Sequence, residues 1–307
     1  MARKLRLEFP GAIYHVINRG NYRQWIFRTP GARHAFEACL FEACTRSEWQ
    51  LHAFVVMGNH FHLALETPHG NLAAGMHWLQ ATFASRFNRL RGEHGHLFQD
   101  RFKSLLVEAG TPLGALCHYI HLNPARAGIV SVARLAEYRH SSYWHLHHPR
   151  QRPGFLRAET GLAEAGGLAD TPAGRSCYHS YLAWQMADGP AGRSAAYVSM
   201  SRGWALGGAG FKRSLLQDHS VTEETRAWER DGARQVREEK WWMALEKLLA
   251  AVPAGTKADH RGAAPWKVSI AVAMKASTEA DNRWLAQQLK IGSPRYLAKL
   301  VSLGRAR

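Results

Sequence analysis

Two apolar runs, residues 51–57 (LHAFVVM) and 60–66 (HFHLALE), are separated only by Gly58-Asn59, a pair suited to a two-residue hairpin turn. So short a loop fixes strand register. Because side chains alternate across a strand, it also fixes which residues share a face. The rest of the fold must be built outward from this antiparallel pair. Residues 13–18 (IYHVIN) and 102–108 (FKSLLVE) are strand-like by the same alternation and by their β-branched and aromatic content. Helical patterns lie between the strands. Thr29-Pro30 supplies an N-cap and a first-turn proline ahead of Phe36, Cys39, Leu40 and Ala43. Leu72, Met76, Leu79, Phe83 and Phe87 mark a second helix that stops before Gly92, and Thr111-Pro112 opens a third with Leu113, Leu116, Cys117 and Ile120 as its buried stripe. The order β-α-β-β-α-β, followed by a helix, predicts an α+β fold of the ferredoxin-like, split βαβ kind, with helices covering one face of an antiparallel sheet.

A chain of 307 residues exceeds one such domain. We assign residues 1–145 to it. Residues 146–175 shift toward proline, glycine, histidine and arginine, which predicts a linker, and residues 176–307 form a mainly helical C-terminal region. There, residues 238–249 (EEKWWMALEKLL) and 264–276 read as helices. Thr278 can cap a third running to Leu289, and Pro294 can open a fourth after the turn at 291–293. Gly292 in a short turn, with Lys290, Arg295 and Lys299 nearby, suits a DNA-binding helix-turn-helix. An ordinary helical hairpin has the same pattern, and the sequence leaves both open. Trp241 and Trp242 read as core, and His145, His147 and His148, beside Pro149, as a solvated loop.

Lysine and arginine number 40 against 24 acidic residues, a net charge of +16, and the pI is near 10.1. Such a balance favours a polyanion, with nucleic acid the leading partner. No apolar stretch approaches the roughly 20 residues of a spanning helix, so a cytoplasmic protein without a membrane partner is expected. There is no P-loop, and no nucleotide cofactor is expected. Cys39, Cys44, Cys117 and Cys177 show no CxxC pairing and read as reduced thiols.

Within the hairpin, His60 and His62 project from one face of their strand, close enough to share a cation, with the small Ala64 beside them. In the third helix Tyr119 and Asn123 lie four residues apart on one side, away from the buried stripe. Together these suggest a half-built metal site, a nucleophile and a third ligand. The alternative for the tyrosine is a surface side chain on a helix ending at Pro124. Glu66, on the same face as the histidines, is a candidate to orient a ligand or accept a proton.

The string 57–63 (MGNHFHL) resembles the histidine-hydrophobe-histidine motif of the HUH nucleases, and residues 118–128 (HYIHLNPARAG) resemble the tyrosine helix of the REP-associated tyrosine transposases of bacteria. Residues 9–16 (FPGAIYHV) with 19–21, and 95–103 (GHLFQDRFK), are also similar to segments of that family, in the same order. The resemblance covers about residues 1–145. It departs at Gly58, where a polar or acidic residue is common, and at Ala125, where valine is. It implies a metal-dependent endonuclease and strand transferase acting on single-stranded or hairpin DNA, in which His60, His62 and Asn123 hold Mg²⁺ or Mn²⁺. Tyr119 would attack DNA to form a 5′-phosphotyrosine. Arg19, Arg86, Arg89, Arg101 and Lys103 are candidate backbone contacts, and Arg126 or Lys103 a candidate helper for the phenol. A non-catalytic DNA-binding regulator, a replication-initiator or relaxase-type nuclease and a metal-dependent hydrolase using water as nucleophile are the competing readings, and monomer and homodimer both remain open. Since every implied catalytic residue precedes residue 130, a chain ending near residue 150 is expected to keep the chemistry.

Overall fold

The computed structural model describes residues 7–187, 200–218, 230–257 and 263–305. Two compact units divide the chain, Arg6–Gly208 and, for the C-terminal part, Ala209–Arg307.

The first unit is built on a five-stranded sheet in the order β2-β3-β1-β4-β5. Strands β1 (Ala12–Arg19), β2 (Gln50–Val56), β3 (His60–Thr67) and β4 (Lys103–Val107) pair antiparallel throughout, the order expected of a split βαβ fold. Met57 N donates to His60 O at 2.8 Å, so Gly58-Asn59 form the two-residue turn that its sequence demands. Helix α1 (Pro30–Ser47) begins as expected, with Thr29 Oγ1 accepting from Ala32 N and Pro30 in the first turn. Helix α2 (Leu72–Arg91) stops at Gly92, whose φ of 65° is the left-handed cap that glycine adopts freely. These helices share one face, where Phe27, Phe36, Phe61 and Phe83 interlock with Phe36 and Phe61 centroids 4.7 Å apart. Burying each such ring stabilises by about 1.5–3 kcal/mol.

Helix α3 (Thr111–Arg126) lies on the opposite face, its Leu113, Leu116, Cys117 and Ile120 packed on Ala53, Val55 and Ala64. Thr111 is its first residue rather than its cap, and Pro124 falls inside its last turn. More consequentially, α3 has no exposed polar side: Leu116 through Pro124 are all buried. The cause is the segment expected to be a linker. Residues 146–175 instead carry helix α5 (Glu159–Glu164) and buried Leu156 and Leu162, and they lead into α6 (Pro172–Ala187), whose Tyr178 and Leu182 pack with Leu122. Linker-like composition misled because proline and glycine here make close turns over a helix. The compact unit accordingly runs on to Gly208, past the boundary expected at 145.

The histidine-rich stretch is likewise no solvated loop. Helix α4 (Ser142–His147) buries His145, whose Nε2 lies 3.2 Å from Glu37 Oε1, and Arg139 Nη1 donates to the same oxygen at 2.7 Å. Burial alone would raise the Glu37 carboxyl, but hydrogen bonds from His140, His145 and Arg139 outweigh it and hold the group at about 2.

Helix α3 approaches α5 so closely that a β-carbon at Gly114 would stand 2.2 Å from Glu164 Cβ. Gly114→Ala is expected to destabilise the first unit by about 1–3 kcal/mol through forced helix displacement. Gly154→Ala, with nothing within 4 Å, should be neutral. Equal denaturation midpoints for the two variants would refute the close approach.

The second unit holds α7 (Ala209–Asp218), α8 (Arg230–Ala250), α9 (Pro265–Ser277), α10 (Asn282–Leu289) and α11 (Pro294–Arg305). Asp281, not Thr278, caps α10, and Lys290 at φ 53° and Gly292 make the turn into α11. Trp241 is buried in the core of this unit with Met274, Trp284 and Leu297, whereas Trp242 lies at its margin, edge-on to Trp284. No helix among the described residues is long and apolar enough to cross a membrane. Cys39, Cys44 and Cys117 are buried free thiols, and Cys177 is exposed and free.

Candidate active site

Three histidines meet on the α3 face of the sheet. His60 and His62 follow from the strand period, their rings 5.1 Å apart. The third, His15 on β1, stands opposite Ala64 in register, and the small alanine leaves room for its ring to stack on His62 at 5.2 Å. His15 Nε2 lies 2.9 Å from His62 Nδ1, and His15 Nδ1 lies 2.7 Å from the carbonyl oxygen of Met200. His60 Nδ1 lies 2.6 Å from Asn59 Oδ1. The Nε2 atoms of His60 and His62 take no hydrogen bond among the described residues.

Electrostatics keeps these rings neutral. Burial, with Arg19 adding repulsion, holds His60 down to about 4; burial and Lys103 hold His15 at about 4 against the opposing hydrogen bond to Met200. His62 is pushed well below the ordinary range by burial and then by His15, His60, Arg126 and Arg19. Neutral imidazoles with bare nitrogens on one face fit a divalent cation. Among the described residues no group of three His, Cys, Asp or Glu side chains is arranged to hold a metal. A cation held there would take its further ligands from a carboxamide, water or a bound anion.

Tyr119 reaches this cluster from α3. Its ring stands edge-on to His62 at 5.5 Å and to His15 at 5.9 Å, and Arg126 lies over its face at 5.2 Å. Asn123, one turn on, donates from Nδ2 to the Tyr119 carbonyl oxygen at 2.9 Å, and its Oδ1 takes no hydrogen bond among the described residues. Glu66 is not part of the group. It sits near the far end of β3, 3.5 Å from His52 Nε2, where cross-strand pairing holds it beside β2.

One contributor lies far along the chain. Residues 200–206 return to the sheet, where β5 (Ala205–Leu206) pairs parallel with β4. Ser201 Oγ lies 3.3 Å from the Tyr119 hydroxyl, and the Ser201 carbonyl oxygen accepts from Lys103 Nζ. His15 and this segment were missed in the sequence. By the two-residue strand period His15 shares a face with Ile13 and Ile17, a signal that could have marked it; nothing local marks Met200 or Ser201.

The basic candidates divide by location. Arg19 pairs with His60 across the strands, Lys103 with Ile17, and Arg126 covers Tyr119, so these three border the cluster. Arg86 and Arg89 belong to α2 on the other face of the sheet, where Arg86 is held by Glu42 at 3.0 Å and by Cys39. Arg101 is exposed in the turn before β4. Beside His60, the turn after β1 holds Tyr22 and Arg23 at positive φ of 50° and 61°, with Tyr22 86% and Trp25 66% exposed. The Trp25 ring rests on Gly58, where any β-carbon would stand 2.3 Å from it. This accounts for glycine at that position.

Residues 9–123 match the family model described as IS200-like transposase. The match covers most of the segment carrying the resemblance read from the sequence and includes His60, His62, Tyr119 and Asn123, but it stops short of residues 124–128. A solved structure of a REP-associated tyrosine transposase bound to a REP hairpin is similar to the chain at 16% identity, over 50% of this chain and 89% of that one, with a TM-score of 0.40. None of the curated proteins matches the chain.

Proposed function

We propose that the first unit is the catalytic domain of a single-tyrosine transposase that cuts and rejoins single-stranded DNA. The observation carrying this reading is the convergence of Tyr119 with two neutral, same-face imidazoles whose Nε2 atoms are bare. The IS200-like match over residues 9–123 supports a transposase acting on DNA.

In this reading His60, His62 and Asn123 hold Mg²⁺ or Mn²⁺, which when bound polarises the scissile phosphate without charge donated by its protein ligands. Tyr119 Oη attacks phosphorus. The new O–P bond forms as the P–O3′ bond breaks, the phenolic proton is lost, and the departing 3′ oxygen is protonated. The product is a 5′-phosphotyrosine and a free 3′-hydroxyl. Since a phosphodiester replaces a phosphodiester, rejoining needs no nucleotide cofactor. An unperturbed phenol titrates near 10, so it needs cationic help to act as a nucleophile at neutral pH. Arg126 over the ring supplies positive charge at that point. The test is incubation of 5′- and 3′-labelled single strands with Mn²⁺: only the label on the 3′ side of the break should become protein-linked. Cleavage undiminished by chelator, or linkage of the other label, refutes the mechanism.

Arg19, Arg101 and Lys103 are the proposed backbone contacts, and the net charge of +16 makes the grip largely electrostatic. Arg86 and Arg89 are weaker candidates because they lie across the sheet from the cluster. Tyr22 and Trp25 present exposed rings beside His60 and suit stacking on unpaired bases. Binding is expected to favour single-stranded or hairpin DNA over duplex and to weaken steeply with salt, and Trp25→Ala should cost about 1–3 kcal/mol of single-strand affinity. Equal affinity for a plain duplex would count against this surface. The α10–α11 pair, exposing Lys290, Arg295, Lys299 and Tyr296, is proposed as an accessory DNA-reading element.

A further inference from the structure

We infer that His15 is a positioning residue for the metal ligand His62, and that the backbone carbonyl of Met200 sets the tautomer of both rings. The inference rests on the reading of His60 and His62 as cation ligands. A carbonyl oxygen can only accept, so His15 Nδ1, 2.7 Å from Met200 O, carries the proton. A neutral imidazole has one N–H, which leaves His15 Nε2 as an acceptor. The atom facing it at 2.9 Å is His62 Nδ1, which must therefore be the donor. His62 is left with a bare Nε2, the form a ligand needs. Ring stacking at 25° between the planes limits rotation out of this arrangement.

His60 is set independently in the same sense. Asn59 Nδ2 faces the Arg23 carbonyl oxygen at 3.4 Å, so its Oδ1 is turned to His60 Nδ1 and accepts from it at 2.6 Å. Both strand histidines thus present Nε2. Partners that hold a ligating histidine by its other nitrogen fix its tautomer and ring orientation, and losing one typically lowers metal affinity about 10–100-fold. For His62 that partner is a buried histidine from β1, and its own partner is a peptide carbonyl almost eighty residues beyond the transposase-like segment. Two linked hydrogen bonds, Met200 O with His15 and His15 with His62, therefore carry the influence of this distant segment to His62.

The test uses the full chain. In the metal-free protein labelled with ¹⁵N-histidine, two-bond ¹H–¹⁵N spectra should report His62 as the Nδ1–H tautomer; an Nε2–H tautomer overturns the relay whatever the variants do. His15→Phe keeps a ring in the buried slot but removes the acceptor. Its Mn²⁺ dissociation constant should rise about 10–100-fold, and the His62 signals should shift toward a mixture. His15→Gln retains an acceptor and should restore most of the affinity. Wild-type Mn²⁺ affinity and an unchanged His62 tautomer in folded His15→Phe overturn the inference. His62→Ala separates the two levels: if it binds Mn²⁺ as well as wild type, the metal reading itself fails, whereas loss there with retention in His15→Phe defeats the relay alone.

Discussion

Tyr119→Phe is expected to bind single-stranded DNA and Mn²⁺ as the wild-type chain does while forming no covalent protein–DNA adduct. The substitution removes one oxygen from a ring that is 7% exposed and that packs edge-on against His62 and His15. Its hydroxyl lies 3.3 Å from Ser201 Oγ, and losing one hydrogen bond costs about 0.5–1.5 kcal/mol, less than the margin by which a domain is usually stable. In the proposed mechanism the covalent step depends on it entirely, because no other oxygen of the side chain can take up the phosphoryl group. His60→Ala and His62→Ala should instead bind DNA but lose metal-dependent cleavage. Asn123→Ala should be milder, since water can replace one neutral ligand. Gel analysis of labelled strands, with Mn²⁺ titrations on the same preparations, distinguishes these outcomes. Adduct formation by Tyr119→Phe at the wild-type rate would sink the assignment of the nucleophile.

A chain ending at residue 150 is expected to yield no folded nuclease, whereas one ending at residue 208 should fold, bind Mn²⁺ and cleave. This reverses the expectation drawn from the sequence. Ending at 150 removes Leu156, Leu162, Tyr178 and Leu182, all buried against α3 and its neighbours. At about 1.5–3 kcal/mol for each large apolar side chain, the loss rivals the 5–15 kcal/mol by which domains are usually stable. It also strips the shared hydroxyl of Tyr178 from His118 Nδ1 and His121 Nδ1, at 2.9 and 2.8 Å, leaving buried polar groups without partners. Met200 and Ser201 go with it. Circular dichroism melts and the adduct assay on both chains provide the comparison. A cooperatively folded, cleaving protein ending at 150 would mean that α5, α6 and β5 are accessory.

Elements with local causes were legible in the sequence. The Gly58-Asn59 turn fixed the hairpin register, and the register placed His60 and His62 on one face. Thr29-Pro30 and Gly92 set the start of α1 and the end of α2 through local hydrogen bonds and backbone preference. The four-residue spacing of Tyr119 and Asn123 needed only the helical period. What those residues face depends on long-range packing. Residues 146–175 lack strong periodicity, yet they bury α3, because a helix apolar on one side can be covered on its other side by partners that satisfy its histidines. His15 became part of the cluster only when β1 paired with β3 and put Ala64 opposite it. Met200 contributes through its peptide carbonyl, a group every residue carries, so its role depends wholly on where β5 returns to the sheet and not on any side chain the sequence could advertise.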